Sequence, residues 1–214
     1  SATIDIDKTV AAGPAGSITV DGGAFGSSVE LFASDTINLR AGTSLFSNLA
    51  VGNAVGTHDL DATAGNTINV TATNAGSIFA TGDISLRAGA ANNIGGNVNI
   101  DLDQIGFTDS VVTGLLVGGN LTIDTSARGA DDFFIIRNNG NTGIGQDAVA
   151  GNINVNVTAG GDLIVDGQTI LDSSAQGGKG DIQNGFGQAG NINFGLSGAA
   201  STIHLQGDAR FNSA

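Results

Sequence analysis

Chemistry needs side chains that can converge on one reactant, and this sequence offers few candidates. Asp5 with Asp7 and Asp101 with Asp103 stand two residues apart. That spacing puts both carboxylates of a pair on one face of an extended strand, where they could act as an acid/base couple or hold Ca²⁺. Alternation with Ile4, Ile6, Ile100 and Leu102 gives the plainer reading, in which these Asp form the solvated face of ordinary strands. Asp131 and Asp132 are adjacent, and consecutive side chains rarely converge, so a metal or ligand role for them is the weaker alternative.

His58 and His204 are the only histidines, so no multi-His metal centre can form. His204 lies between Ile203 and Leu205 and is expected to point outward. A Ser-His-Asp triad would need partners that Ser and Asp supply everywhere and mark nowhere, and no Gly-x-Ser-x-Gly elbow occurs at a strand-to-helix turn. Gly177-Gly178-Lys179-Gly180 imitates a phosphate loop, but Ser173 stands where a Walker motif needs Gly and Gly180 where it needs Ser or Thr. Arg128-Gly129-Ala130-Asp131 is not an integrin tripeptide. No Gly-Gly-x-Gly-x-Asp-x-aliphatic calcium repeat is present. No catalytic, cofactor-binding or metal residue is therefore assigned and no enzyme activity is expected; weak Ca²⁺ binding by the acidic surface is the one ion interaction left open.

Bulk composition narrows the class. Net charge is -13, from 20 Asp plus Glu against 7 Lys plus Arg, and this repels phosphate backbones and anionic headgroups. Neither nucleic-acid binding nor membrane insertion is expected, and no apolar run approaches the 18 residues of a spanning helix. Zero Cys excludes disulfides and thiolate chemistry. With 13% charged residues and a positive mean hydropathy, the chain is too apolar to stay disordered. It begins with neither an initiator Met nor a basic, apolar leader, so it reads as a processed product or, by preference, an excerpt of something longer.

The elements that must carry these residues are short strands. Helix formers are scarce, whereas Val, Ile, Thr, Asn and 35 Gly dominate. One phrase recurs: Gly, a small polar residue, an aliphatic, a polar and a second aliphatic. Its cleanest copies are Gly96-Asn97-Val98-Asn99-Ile100, Gly119-Asn120-Leu121-Thr122-Ile123, Gly151-Asn152-Ile153-Asn154-Val155 and Gly190-Asn191-Ile192-Asn193-Phe194. Looser copies begin at Gly16, Asp35, Asn66, Gly82, Gly161 and Ser201. The aliphatics two apart share one face, so each copy is a half-buried strand too short to fold alone, and stacking coil on coil gives them a common core.

Weaker strand signals lie at Ser28–Phe32, Gly76–Phe79, Asp109–Val112 and Gln168–Leu171. Together they predict an all-β, right-handed parallel β-helix over residues 1–214, a single solenoid domain with three short strands per coil. Coils of about 25 to 40 residues would give six or seven turns.

Gly before each strand implies a tight corner or close backbone approach, and Asn97, Asn120, Asn152 and Asn191 could stack as an amide ladder. Arg40 and Arg87 both occur in Leu-Arg-Ala-Gly and would form an outward ladder or engage Asp. Phe133-Phe134-Ile135-Ile136 reads as a wall strand or an anchored loop, with an exposed partner patch as the alternative. Long inserts are expected at 40–65, 124–150 and 171–189, projecting from one corner, where solenoids usually carry binding surfaces.

Ala-Gly-Asn-Ile-Asn-Val (150–155), Ala-Gly-Gly-Asp-Leu-Ile-Val (159–165) and Gly-Gly-Asn-Leu-Thr-Ile (118–123) resemble phrases of filamentous-haemagglutinin-type large exoproteins. The resemblance spans most of the chain. It implies a right-handed β-helical fibre, secreted or held at the bacterial surface, acting in adhesion, biofilm or cell contact. The expected function is an extracellular structural and adhesive rod. Its partners would be the rest of a longer chain, or itself by end-to-end stacking, and a host or bacterial surface glycan or protein. A polymerising matrix-filament subunit and a polysaccharide-degrading β-helix are the alternatives; for the latter, the lack of Trp and Tyr leaves sugar stacking to Phe alone.

Overall fold

A computed structural model of the chain describes residues 3–9, 17–20, 28–33, 36–42, 48–51, 59–73, 77–89, 93–103, 114–133 and 143–214. The described residues are all-β, with no helix among them, and none therefore forms a helix long and apolar enough to cross a membrane. The strands build three parallel six-stranded sheets. The first wall holds Thr3–Thr9, Thr36–Gly42, Thr67–Thr73, Asn97–Asp103, Ile153–Thr158 and Ile192–Ser197. The second holds Ser17–Val20, Asn48–Val51, Ser77–Ala80, Gly114–Val117, Asp162–Val165 and Thr202–Leu205. The third holds Ser28–Ala33, Asp59–Ala64, Ile84–Ala88, Leu121–Asp124, Thr169–Asp172 and Ala209–Asn212. The chain thus visits the three walls in turn six times, a solenoid-like arrangement.

Register locks the passes together. Ile4, Ile37, Ile68, Val98, Ile153 and Ile192 form one column, so successive passes are offset by 33, 31, 30, 55 and 39 residues. A slip of one residue would turn every aliphatic outward. In Asn97–Asp103 the alternation is strict: Val98, Ile100 and Leu102 are buried and the residues between them are not. The core is built from such residues of all three walls, including Ile78, Leu115 and Leu163 of the second and Leu86, Ile123 and Leu171 of the third. Each such side chain gains about 1.5–3 kcal/mol on burial.

The recurring phrase is not confined to one wall. Copies at Gly96, Gly151 and Gly190 feed the first wall, those at Gly82 and Gly119 the third, and those at Gly161 and Ser201 the second. The expected Asn stack is corrected accordingly. Asn152 donates its backbone N–H to Asn97 Oδ1 and Asn191 donates its own to Asn152 Oδ1, each at 2.9 Å. Asn120 stands at a different corner, donating its N–H to Asp83 Oδ1 and accepting from Gln168 N–H.

The amide ladder lies one step inside the strands. Asn69, Asn99, Asn154 and Asn193 each donate Nδ2–H to Oδ1 of the Asn in the preceding pass, starting at Asn38, over 2.8–2.9 Å. Close approach also explains the Gly of the first-wall phrase: a Cβ on Gly151 would stand 1.7 Å from Gly96 O.

Two further expectations are corrected. The stretch 40–65 is not an insert, because it contains the wall strands Asn48–Val51 and Asp59–Ala64. Arg40 and Arg87 occupy different walls, the first and the third, so they form no common ladder. Arg87 instead engages Asp124 of the next pass, with Nη2 2.9 Å from Oδ2. His58, the expected strand at Asp109–Val112 and Phe134–Ile136 lie outside the described residues.

Candidate functional site

The inserts at 124–150 and 171–189 both leave the third wall and return to the first, so they emerge at the same corner of consecutive passes. Their sequences explain why they stack. Asp124-Thr125-Ser126-Ala127 and Asp172-Ser173-Ser174-Ala175 are the same phrase, and each Asp Oδ1 accepts the backbone N–H of the Ser two residues on, at 2.9 Å. This local bond turns the chain out of the wall identically in both passes. Thr125 and Ser173, both fully buried, donate their hydroxyls to the same carbonyl, Gly151 O, at 3.1 and 2.9 Å.

Beyond that turn, Ala127–Arg128 pairs with Ala175–Gln176 and Ala148–Val149 pairs with Gly187–Gln188, both parallel. Ala127, Ala148 and Ala150, with Ala175 against them, form a small core separate from the main one. Small residues are required because the two inserts nearly touch: a Cβ on Gly185 would stand 1.9 Å from Gln146 O. The inserts are therefore a side lobe attached to the walls.

The lobe carries a groove of about 360 Å³, lined in part by Ile144, Gln146, Asp147, Gln183, Asn184 and Phe186. Asp147 Oδ1 accepts the backbone N–H of Phe186 at 2.8 Å, and Ala148 N–H donates to Phe186 O at 2.7 Å. Both backbone groups of Phe186 are thus held while its ring is 70% exposed. Asn184 Oδ1 accepts from Gly180 N–H at 3.1 Å, and Asn93 Nδ2 donates to Asp147 O at 2.7 Å. The arrangement is a recess with an exposed aromatic ring on a held backbone, amide side chains and a carboxylate, suited to binding.

No protein-family model, curated protein or solved structure matches this chain.

The residues singled out from the sequence do not converge on this groove. Asp101 is exposed and accepts Asn156 Nδ2–H at 2.9 Å, while Asp103 buries an Oδ1 that has no hydrogen-bond partner. His204 is exposed on the outer face of the second wall, in register with Ile164. Asp131 caps the phosphate-loop look-alike: its Oδ1 accepts Lys179 N–H at 2.7 Å, occupying a donor that an anion would need. Its other oxygen lies 3.9 Å from Arg128, a loose contact. Asp132 bridges Gly180 in the strand pairing of the lobe. Phe133, half exposed, belongs to the same lobe. Among the described residues no three His, Asp or Glu side chains come together as a metal site.

An acidic grouping lies elsewhere among the described residues, on the third wall. Glu30 and Asp61 stand in register there, with Asp59 two residues before Asp61. Partial burial, then Asp59 and Glu30, push the Asp61 carboxyl above its ordinary value. Sequence reasoning missed both this cluster and the groove. The repeated Asp-[Thr/Ser]-Ser-Ala phrase was the available signal for the lobe.

Proposed function

We propose that this chain is a right-handed parallel β-solenoid serving as a structural and adhesive rod of an extracellular bacterial surface protein, without catalysis. The observation that carries the reading is the unbroken strand register over six passes around one apolar core, an arrangement that stiffens a rod along one axis through nearest-neighbour contacts alone. The side lobe, built on consecutive passes at one corner, supplies a surface for contacts. The likeness of the Gly-Asn phrases to filamentous-haemagglutinin-type exoproteins supports the surface assignment.

A second reading is a subunit that assembles end to end. Phe194, Leu196 and Phe211 continue the inward columns of Val155, Val157 and Leu171, yet they are exposed. A further coil laid on this edge, of a longer chain in the first reading or of another copy in the second, would bury them and pair the strand edges. Negative-stain electron microscopy of the purified chain at several salt and Ca²⁺ concentrations tests both readings. Short rods of uniform width support the rod segment, and long fibres of the same width support the assembling subunit. Compact particles, or release of reducing ends from bacterial polysaccharides by the chain, would overturn both. Labelling of intact cells by antibodies against the chain tests the surface location.

A further inference from the structure

We propose that the groove of the side lobe is a binding site for an uncharged saccharide, with the Phe186 ring as its stacking platform. Pyranose rings present an apolar C–H face bordered by hydroxyls that both donate and accept hydrogen bonds. A complementary site needs a flat apolar surface beside groups that do the same. The lobe places these together. Phe186 exposes its ring on a backbone fixed at both its N–H and its carbonyl. With the backbone so held, only the two side-chain torsions remain to be ordered when a ligand stacks on the ring.

The side-chain amides of Gln146 and Gln183, which line the same groove, make no hydrogen bond to another described residue. Each therefore has two donors and an acceptor to offer to vicinal hydroxyls. Asp147 contributes one carboxylate oxygen to Phe186 N–H and has its second oxygen left as an acceptor. Ile144, 45% exposed, extends the apolar floor. Among the described residues no cationic side chain lines the groove, and Asp147 disfavours acidic sugars, phosphates and sulfates. The site depends only on the stacking of two inserts, so it holds whether the chain is a rod segment or an assembling subunit.

The test is ¹H–¹⁵N correlation NMR on the intact chain, titrated with neutral hexasaccharides of glucose, mannose, galactose, xylose and N-acetylglucosamine, and with a hexauronate and a lysine-rich peptide as competitors. At least one neutral hexasaccharide is expected to shift resonances confined to 143–147 and 182–187. Phe186→Ala is expected to weaken that binding roughly tenfold or more, the loss of one stacked ring. Gln146→Ala with Gln183→Ala should weaken it further, while Phe79→Ala, on the second wall, which the inserts do not join, leaves it unchanged. Because Phe186 is exposed, its replacement should keep the far-UV spectrum and melting temperature of the parent. Absence of shifts with every neutral hexasaccharide, equal binding by F186A, or preference for the hexauronate or the peptide would overturn the proposal.

Discussion

Asn154 donates Nδ2–H to Oδ1 of Asn99 at 2.9 Å, a side-chain bond between residues 55 apart in the chain. Of the 25 residues by which this pass exceeds the one before it, 18 fall between the third wall and the first, where the lobe is attached, and the wall register is undisturbed by them. The same bond in the same direction recurs from Asn38 to Asn193, and the amides of Asn69, Asn99 and Asn154 each both donate and accept. The ladder is thus a polar counterpart of the apolar columns, and both report the same register.

Replacing Asn154 by Ala removes two ladder bonds at once, leaving Asn99 Oδ1 and Asn193 Nδ2 without their partners. The expected loss is about 1–3 kcal/mol. Asn156→Ala, which removes only the exposed bond to Asp101, is expected to cost less than about 1 kcal/mol. Urea titrations followed by far-UV circular dichroism compare the midpoints, and equal effects would deny the ladder a stabilising role.

Gly151→Ala would place a methyl group 1.7 Å from Gly96 O, inside backbone that cannot yield without parting two passes. A loss of about 3 kcal/mol or more is expected. At Gly195 the nearest atom is Asn156 Oδ1 at 2.9 Å, a side-chain end able to move, so Gly195→Ala should be tolerated. Melting temperatures of the two variants make the comparison.

Thr125 and Ser173 share one acceptor, which predicts non-additivity. Thr125→Val or Ser173→Ala alone leaves Gly151 O with the other hydroxyl, and each should cost about 1 kcal/mol. The double variant removes both hydroxyl donors and should lose more than the two single losses together. A double-mutant cycle in urea measures the coupling, and strict additivity would mean that the two bonds are independent.

Asp61 makes stability depend on pH in a definite direction. Burial and the charges of Asp59 and Glu30 raise its carboxyl in the folded chain above the ordinary value of 3.8. The folded state therefore holds this proton more tightly than the unfolded chain does. Its contribution to stability is fully present below the unfolded value and is lost as pH rises through the raised folded value. Asp61→Asn should stabilise the chain at neutral pH and flatten its pH profile in the acid range. Thermal melts of parent and variant from pH 4 to pH 7 should converge at the acid end, and parallel curves would assign the pH dependence to other groups.

Arg87 and Asp124 join two passes of the third wall, but the Arg side chain is largely exposed. Arg87→Ala is expected to cost no more than about 1 kcal/mol, and the cost should fall as salt is added. Melting temperatures at low and high salt test this.

Sequence alone determined the all-β class, the short strands and their inward faces, because aliphatics two apart between Gly-rich turns admit no other amphipathic period. Val98, Ile100, Ile153 and Val155 were legible as core for that reason, and His204 as an outward side chain. The wall to which each phrase belongs was not legible, since Gly119-Asn120 and Gly151-Asn152 are locally alike and only pairing across passes separates them. The same limit concealed the difference between Arg40 and Arg87 and turned the strands within 40–65 into an expected insert. The groove was beyond sequence reasoning because Asp147 and Phe186 are 39 residues apart and meet only when two inserts stack. Local pattern fixes which face of a strand is buried, and tertiary register alone decides which strands, and therefore which side chains, become neighbours.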